Sequence, residues 1–211
     1  AEEQPPLPTE NNVLKTFSIE NEPVVELVNN REREYTFADL PNIGYSTDID
    51  TVMASSYQVK KQLQQIVKIE QPITNTLLYK RILRIWNLTR VTTRLQVFID
   101  SLLEDAYKDP LSGDTIIYWE DKEKAKDCDF YRINSKRDIL DIPILEVMSA
   151  ARYAIEQQIS MPTEDLKRLT SQLLGFSRKG NNLDMVTEHT IQLLIDKGIF
   201  SHANGMVSMN N

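Results

Sequence analysis

Cysteine occurs once in the 211 residues, at Cys128, and histidine only twice, at His189 and His202. One thiol excludes an intrachain disulfide framework and a cysteine-based zinc site, and it fits a reducing, cytoplasmic setting. The sequence contains no Walker-type glycine-rich phosphate loop, no dinucleotide fingerprint and no His-Glu-x-x-His motif. No catalytic residue, metal site or cofactor is therefore expected, and the fragment reads as a non-enzyme. No apolar run approaches the length needed to span a membrane. The acids Asp121, Glu123, Asp127 and Asp129 alternate with Lys122, Lys124 and Lys126, the pattern of a solvated loop.

What is present is a soluble, globular composition, 41% hydrophobic and 26% charged, with a net charge of −7. That charge is unevenly placed. Residues 1–56 hold 3 Lys+Arg and 11 Asp+Glu, a net −8, whereas residues 57–211 hold 21 and 20. Between Lys60 and Arg94 eight basic residues face Glu70 alone. A local excess of this size is the footprint that phosphate binding requires.

The segment before about residue 50 carries Pro5, Pro6 and Pro8 and no sustained apolar period. It reads as an acidic, partly disordered linker over 1–51 that contributes little to folding. Residues 24–28 and 35–37 are candidate short strands within it.

From about residue 51 the period becomes helical. Val52, Tyr57, Val59, Leu63, Ile66 and Val67 outline one helix ending near Glu70; Leu77, Leu78, Ile82, Leu83, Ile85 and Trp86 outline a second; Val91, Leu95, Phe98, Ile99, Leu102 and Leu103 a third. Residues 87–89 form the turn between the last two, with Thr89 placed to cap the third helix. A turn at 110–113, strands at 115–119 and 130–133 and a loop at 120–129 complete a first unit. The order then recurs: helices at 144–159, from an N-cap at Thr163 onward, and through 183–195, then a hairpin around Asn204-Gly205. Sliding the halves by 88 residues pairs Leu78 with Leu166, Ile85 with Leu173, Leu88 with Phe176, Thr89 with Ser177, Arg90 with Arg178 and Leu95 with Leu183. The expected fold class is thus mainly α (α+β): tandem winged-helix-like helix-turn-helix units with small β-hairpin wings, at 52–140 and 141–211, after an irregular leader.

Helix-turn-helix units with basic faces point to DNA. The candidate contacts are Lys80, Arg81, Arg84, Arg90, Thr93, Arg94 and Gln96 in the first unit and Arg178 with Lys179 in the second. Trp86 and Trp119 are expected in core and wing packing. A protein-docking module is the competing reading, supported by the near-zero charge of residues 57–211 and by Val97 and Tyr107 as candidate exposed apolar groups.

The run IVKIEQPITNTLLYKRILRIWNLTR, with the later LKRLTSQLLGFSRKG, resembles an uncharacterised domain near the C-terminal end of very large bacterial superfamily-one helicase-like proteins, many of which carry a Vsr-like endonuclease domain. The resemblance covers roughly residues 57–207. It implies a helicase-associated accessory module whose partners are duplex DNA and the neighbouring helicase and nuclease domains. It carries no catalytic residue onto these positions, and Gly180, Asn181 and Asn182 weaken the start of the second unit's third helix.

Overall fold

The computed structural model describes residues 29–45, 47–109 and 115–210. The described chain is mainly helical, with eight α-helices and three small sheets of two or three strands. No helix among the described residues is long and apolar enough to cross a membrane.

After β1 (Glu32–Glu34) and the short α1 (Ile49–Ala54), the first unit runs α2 (Ser56–Glu70), β2 (Ile73–Thr74), α3 (Asn75–Ile85), α4 (Thr93–Leu102), β3 (Tyr107–Lys108) and β4 (Ile117–Trp119). Then α5 (Lys122–Lys126), β5 (Tyr131–Ile133) and a 3-10 turn at Ile139–Asp141 lead to the second unit. That unit comprises α6 (Ile144–Glu156), β6 (Met161–Pro162), α7 (Thr163–Leu173), α8 (Asn181–Asp196), β7 (Phe200–Ala203) and β8 (Met206–Met209). Its element order is the same, and so is its sheet: β4 lies between β2 and β3, and β8 between β6 and β7, all antiparallel.

The 88-residue offset is realised in the backbone. Shifting by 88 carries the first residue of α2, β2, α3 and α4 onto that of α6, β6, α7 and α8. It also carries Asn87, at φ 49°, onto Gly175, at φ 89°. Each follows the end of a helix in the left-handed region, where Gly is unstrained and Asn is tolerated. The closing hydrogen bonds superpose too, Leu88 N to Leu83 O and Phe176 N to Ser171 O, the six-to-one bond of a Schellman ending.

Apolar period explains the core. Val59, Leu63 and Ile66 of α2, Leu78, Ile82 and Ile85 of α3, and Leu95 and Ile99 of α4 are buried together with Trp86 and Tyr118. Met148, Ala151 and Ile155 of α6, Leu166 of α7 and Ile191 and Leu194 of α8 close over Phe200 and Val207 in the second unit. Ile117, Trp119 and Phe130 pack against Ile144 and Leu145, so the sheet strand of the first unit rests on the first helix of the second.

Several expectations are corrected. Residues 130–133 do not pair with 115–119 as a wing; the hairpin partner of β4 is β3, and β5 pairs in parallel with β1. The sequence signal was misread because the two residues of β3 are too few for a period, while Phe130, Tyr131 and Ile133 give residues 130–133 the aromatic and β-branched character of a strand. The 120–129 loop contains α5, capped by the Asp121 side chain on Lys124 N. The first helix is broken at Ser55 into α1 and α2, and Tyr57 is exposed. Thr92, not Thr89, caps α4 by accepting from Leu95 N, and Gly180 rather than Ser177 precedes α8. Thr163 is the first residue of α7 and not its cap; Pro162 holds that position. Helix α6 stops at Glu156, leaving Ile159 exposed.

The leader differs most. The strand in it is Glu32–Glu34, one turn ahead of 35–37, and Ala38 and Leu40 are buried in the core of the first unit. The strand expected at 24–28 and the turn at 110–113 lie outside the described residues.

Candidate nucleic-acid interface

Helix α3 begins at the Thr74 cap, whose hydroxyl accepts from Leu77 N, and its apolar stripe faces inward. Its cations are left on the remaining sides, where each meets an acid from elsewhere in the chain. Lys80 binds Asp141 of the 3-10 turn with Nζ 2.6 Å from a carboxylate oxygen. Arg81 lies against Glu70, which is fully buried at the end of α2, with Nη2 2.8 Å from Oε2. Arg84 pairs with Asp39 at 3.1 Å and Arg94 of α4 with Asp50 at 2.7 Å. Lys60 likewise pairs with Asp105. The basic run is therefore local to the sequence and largely balanced in space, a compensation that counting along the chain cannot reveal.

Arg81 is also held by the leader. Tyr35 donates its hydroxyl to Glu70 and accepts from Arg81 Nη2 at 2.8 Å. Burial, reinforced by the Glu70 carboxylate, pushes the Tyr35 phenol up to about 12. Phe37 lies under the guanidinium groups of both Arg81 and Arg84, 4.4 and 4.7 Å from their central carbons.

The seam between the units is ionic. Glu146 of α6 is fully buried and accepts from Arg132 and Arg137 and from the Arg132 backbone N–H. Burial alone would raise its carboxyl pKa; Arg132 and Arg137 outweigh that and lower it to about 2. Arg132 also donates to the carbonyls of Glu70 and Pro72, tying the end of α2 to α6. The Tyr35 ring sits 5.1 Å from Arg132 and 4.4 Å from Arg137. These residues are structural, and sequence reasoning missed them because their partners are 9 to 102 positions apart with no motif to join them.

Arg90, Arg178 and Lys179 stand apart. All three are exposed, and none makes an ion pair or hydrogen bond with a described residue. They occupy equivalent ground: Arg90 lies in the turn from α3 into α4, and Arg178 and Lys179 in the turn from α7 into α8. Thr93 is exposed at the start of α4, and Gln96 is half-buried one turn on. Arg178 and Lys179 flank a concavity of about 200 Å³ beside the uncapped start of α8, where Lys167 is held by Glu164, Asp184 and Glu188.

Trp86 and Trp119 are both buried, Trp86 with its indole N–H on Gln62. Val97 is 64% exposed, while Tyr107 is half-buried against the junction between units. Among the described residues no group of three or more His, Cys, Asp or Glu is placed to hold a metal ion.

Residues 54–97, covering all of α2, β2 and α3 and the first half of α4, match a family described as a protein of unknown function (DUF3320). No curated protein and no solved structure matches the chain.

Proposed function

We propose that the chain is a tandem winged-helix module that holds duplex DNA for a larger helicase-like protein and does no chemistry itself. The observation that carries this reading is the recurrence of unpaired cations at one point of the repeat: Arg90 before α4, and Arg178 with Lys179 before α8. In helix-turn-helix proteins the start of the second, recognition helix is the end that approaches the major groove, and basic groups there meet phosphates. The order helix, strand, helix, helix, strand, strand, with the last strand central, supports the winged-helix description of both units. The helicase context rests on the sequence resemblance and on the match of residues 54–97 to an uncharacterised family. Thr93 and Gln96 on α4 are further candidate contacts, and Arg94 joins them when phosphate displaces Asp50.

A second reading is favoured by a specific surface. Val97, Met53 and Phe98 line a shallow hollow of about 380 Å³ on the outer side of α4, and the acids facing Lys80, Arg81, Arg84 and Arg94 reduce the positive field there. Such a face suits a protein partner, for example a neighbouring domain of the parent chain. An electrophoretic shift of the full chain on a short duplex of arbitrary sequence separates the two. Retardation at about 50 mM salt that is lost by about 200 mM supports DNA binding. No retardation at the lower salt favours docking.

A further inference from the structure

We infer that the acidic segment before α2 regulates the basic face in cis, with Asp39 and Asp50 standing on Arg84 and Arg94 where DNA phosphates would stand. This rests on the proposed DNA reading. The sequence holds a net −8 in residues 1–56 and eight cations against one acid between Lys60 and Arg94. In the fold two of the acids from that segment meet two of those cations, one on each helix of the helix-turn-helix. Asp39 meets Arg84 of α3 and Asp50 meets Arg94 of α4.

The two pairs have the character of a displaceable cover and not of a core. Asp39 is 82% exposed and Arg84 46%, and Asp50 and Arg94 are 74% and 57% exposed. Exposed pairs of this kind hold weakly, and a polyanion with closely spaced phosphates competes effectively for the same guanidinium groups. By contrast, Arg81 is committed to the buried Glu70 and is not released. The cover is anchored beside the pairs. Phe37 lies under Arg84, Asn42 donates to Arg84 O, and Ile43 N bonds Ile85 O. A partner that draws off only the exposed Asp39 and Asp50 carboxylates would therefore expose two arginines, while Ala38, Leu40 and the Tyr35–Glu70 contact stay in the fold.

The test is the affinity of the full chain for a short fluorescent duplex of arbitrary sequence, measured by anisotropy across salt. The variant Asp39→Asn with Asp50→Asn frees Arg84 and Arg94. Each recovered phosphate contact steepens the salt slope by about 0.9 and, near 0.1 M salt, raises affinity roughly eightfold, so a gain of tens of fold is expected. Its melting temperature should stay within about 3 °C of wild type, because both pairs are exposed. A control with the same change in net charge at exposed acids that hold no cation, Asp127→Asn with Asp196→Asn, leaves the slope unchanged. An equal gain in the control overturns the inference, since net charge and not placement would then be responsible. An unchanged Asp39/Asp50 variant also overturns it, and the DNA reading still stands if Arg90→Ala with Arg178→Ala and Lys179→Ala weakens binding. If neither wild type nor the Asp39/Asp50 variant binds at about 50 mM salt, the DNA reading itself has failed and this inference falls with it.

Discussion

Tyr35 decides whether the leader belongs to the fold. Its hydroxyl bridges the buried Glu70 carboxylate and the Arg81 guanidinium, and its ring lies beside Arg132 and Arg137. Tyr35→Phe removes the hydroxyl and keeps the ring. A hydrogen bond to a charged group contributes about 1.5–3 kcal/mol. Glu70 retains Arg81 and the Ala38 backbone N–H, at 2.9 and 3.1 Å, so it is not stranded and the lower part of that range applies. A loss of about 2 kcal/mol corresponds to a fall of roughly 4–8 °C in melting temperature for a chain of this size. Tyr35→Ala also removes the two ring contacts, each about 0.5–2 kcal/mol, so a total loss of about 3–6 kcal/mol and a fall of roughly 6–24 °C are expected. Circular dichroism melts at pH 7 on the full chain read both. A Tyr35→Ala variant melting within about 2 °C of wild type refutes the reasoning and returns the leader to the status of a linker.

Further outcomes follow from other buried groups. The Glu146 carboxyl is depressed to about 2 from an ordinary 4.5. Its contribution, about 3 kcal/mol, is therefore complete above pH 4.5 and is lost as pH falls towards 2; Glu146→Gln should flatten that acid limb in a urea titration against pH. Removing one partner of this cluster, as in Arg137→Met, should cost about 3–5 kcal/mol at pH 7, measured by chemical denaturation. Burial, with Glu146 adding to it, pushes the Cys128 thiol up to about 12, so a thiol reagent at pH 8 should label it slowly in the native chain and rapidly in denaturant. Asn87→Ala keeps the β-carbon at φ 49° but loses the amide that makes this conformation tolerable, and should destabilise by about 1 kcal/mol, whereas Asn87→Gly should be neutral or stabilising.

Much of the helical framework was legible because its signal is periodic and local. The stripes through Leu78, Ile82 and Ile85 and through Leu95 and Ile99 are buried as their spacing requires, and the 88-residue offset found by sliding the sequence is the offset from α2, β2, α3 and α4 to α6, β6, α7 and α8. The Asn204-Gly205 hairpin was equally readable, both residues having positive φ between paired strands. What escaped was non-local. The parallel pairing of Glu32–Glu34 with Tyr131–Ile133 joins segments about a hundred residues apart, and three alternating charges in an acidic leader give no strand period. For the same reason the basic run at Lys80, Arg81, Arg84 and Arg94 looked free: the acids that meet it, Asp141, Glu70, Asp39 and Asp50, lie 11 to 61 positions away along the chain or on a different element. Arg90, Arg178 and Lys179 differ because, among the described residues, no carboxylate pairs with them.

The central claim is tested most directly by the salt dependence of duplex binding in the triple variant Arg90→Ala, Arg178→Ala, Lys179→Ala. All three side chains are exposed and unpaired, so the fold should be unaffected and the melting temperature unchanged. If both turns contact phosphates of one duplex, the slope of log affinity against log salt should fall by close to three times 0.9, about 2.7, and equally for duplexes of unrelated sequence. Wild-type affinity that persists in the triple variant with the same slope contradicts the account.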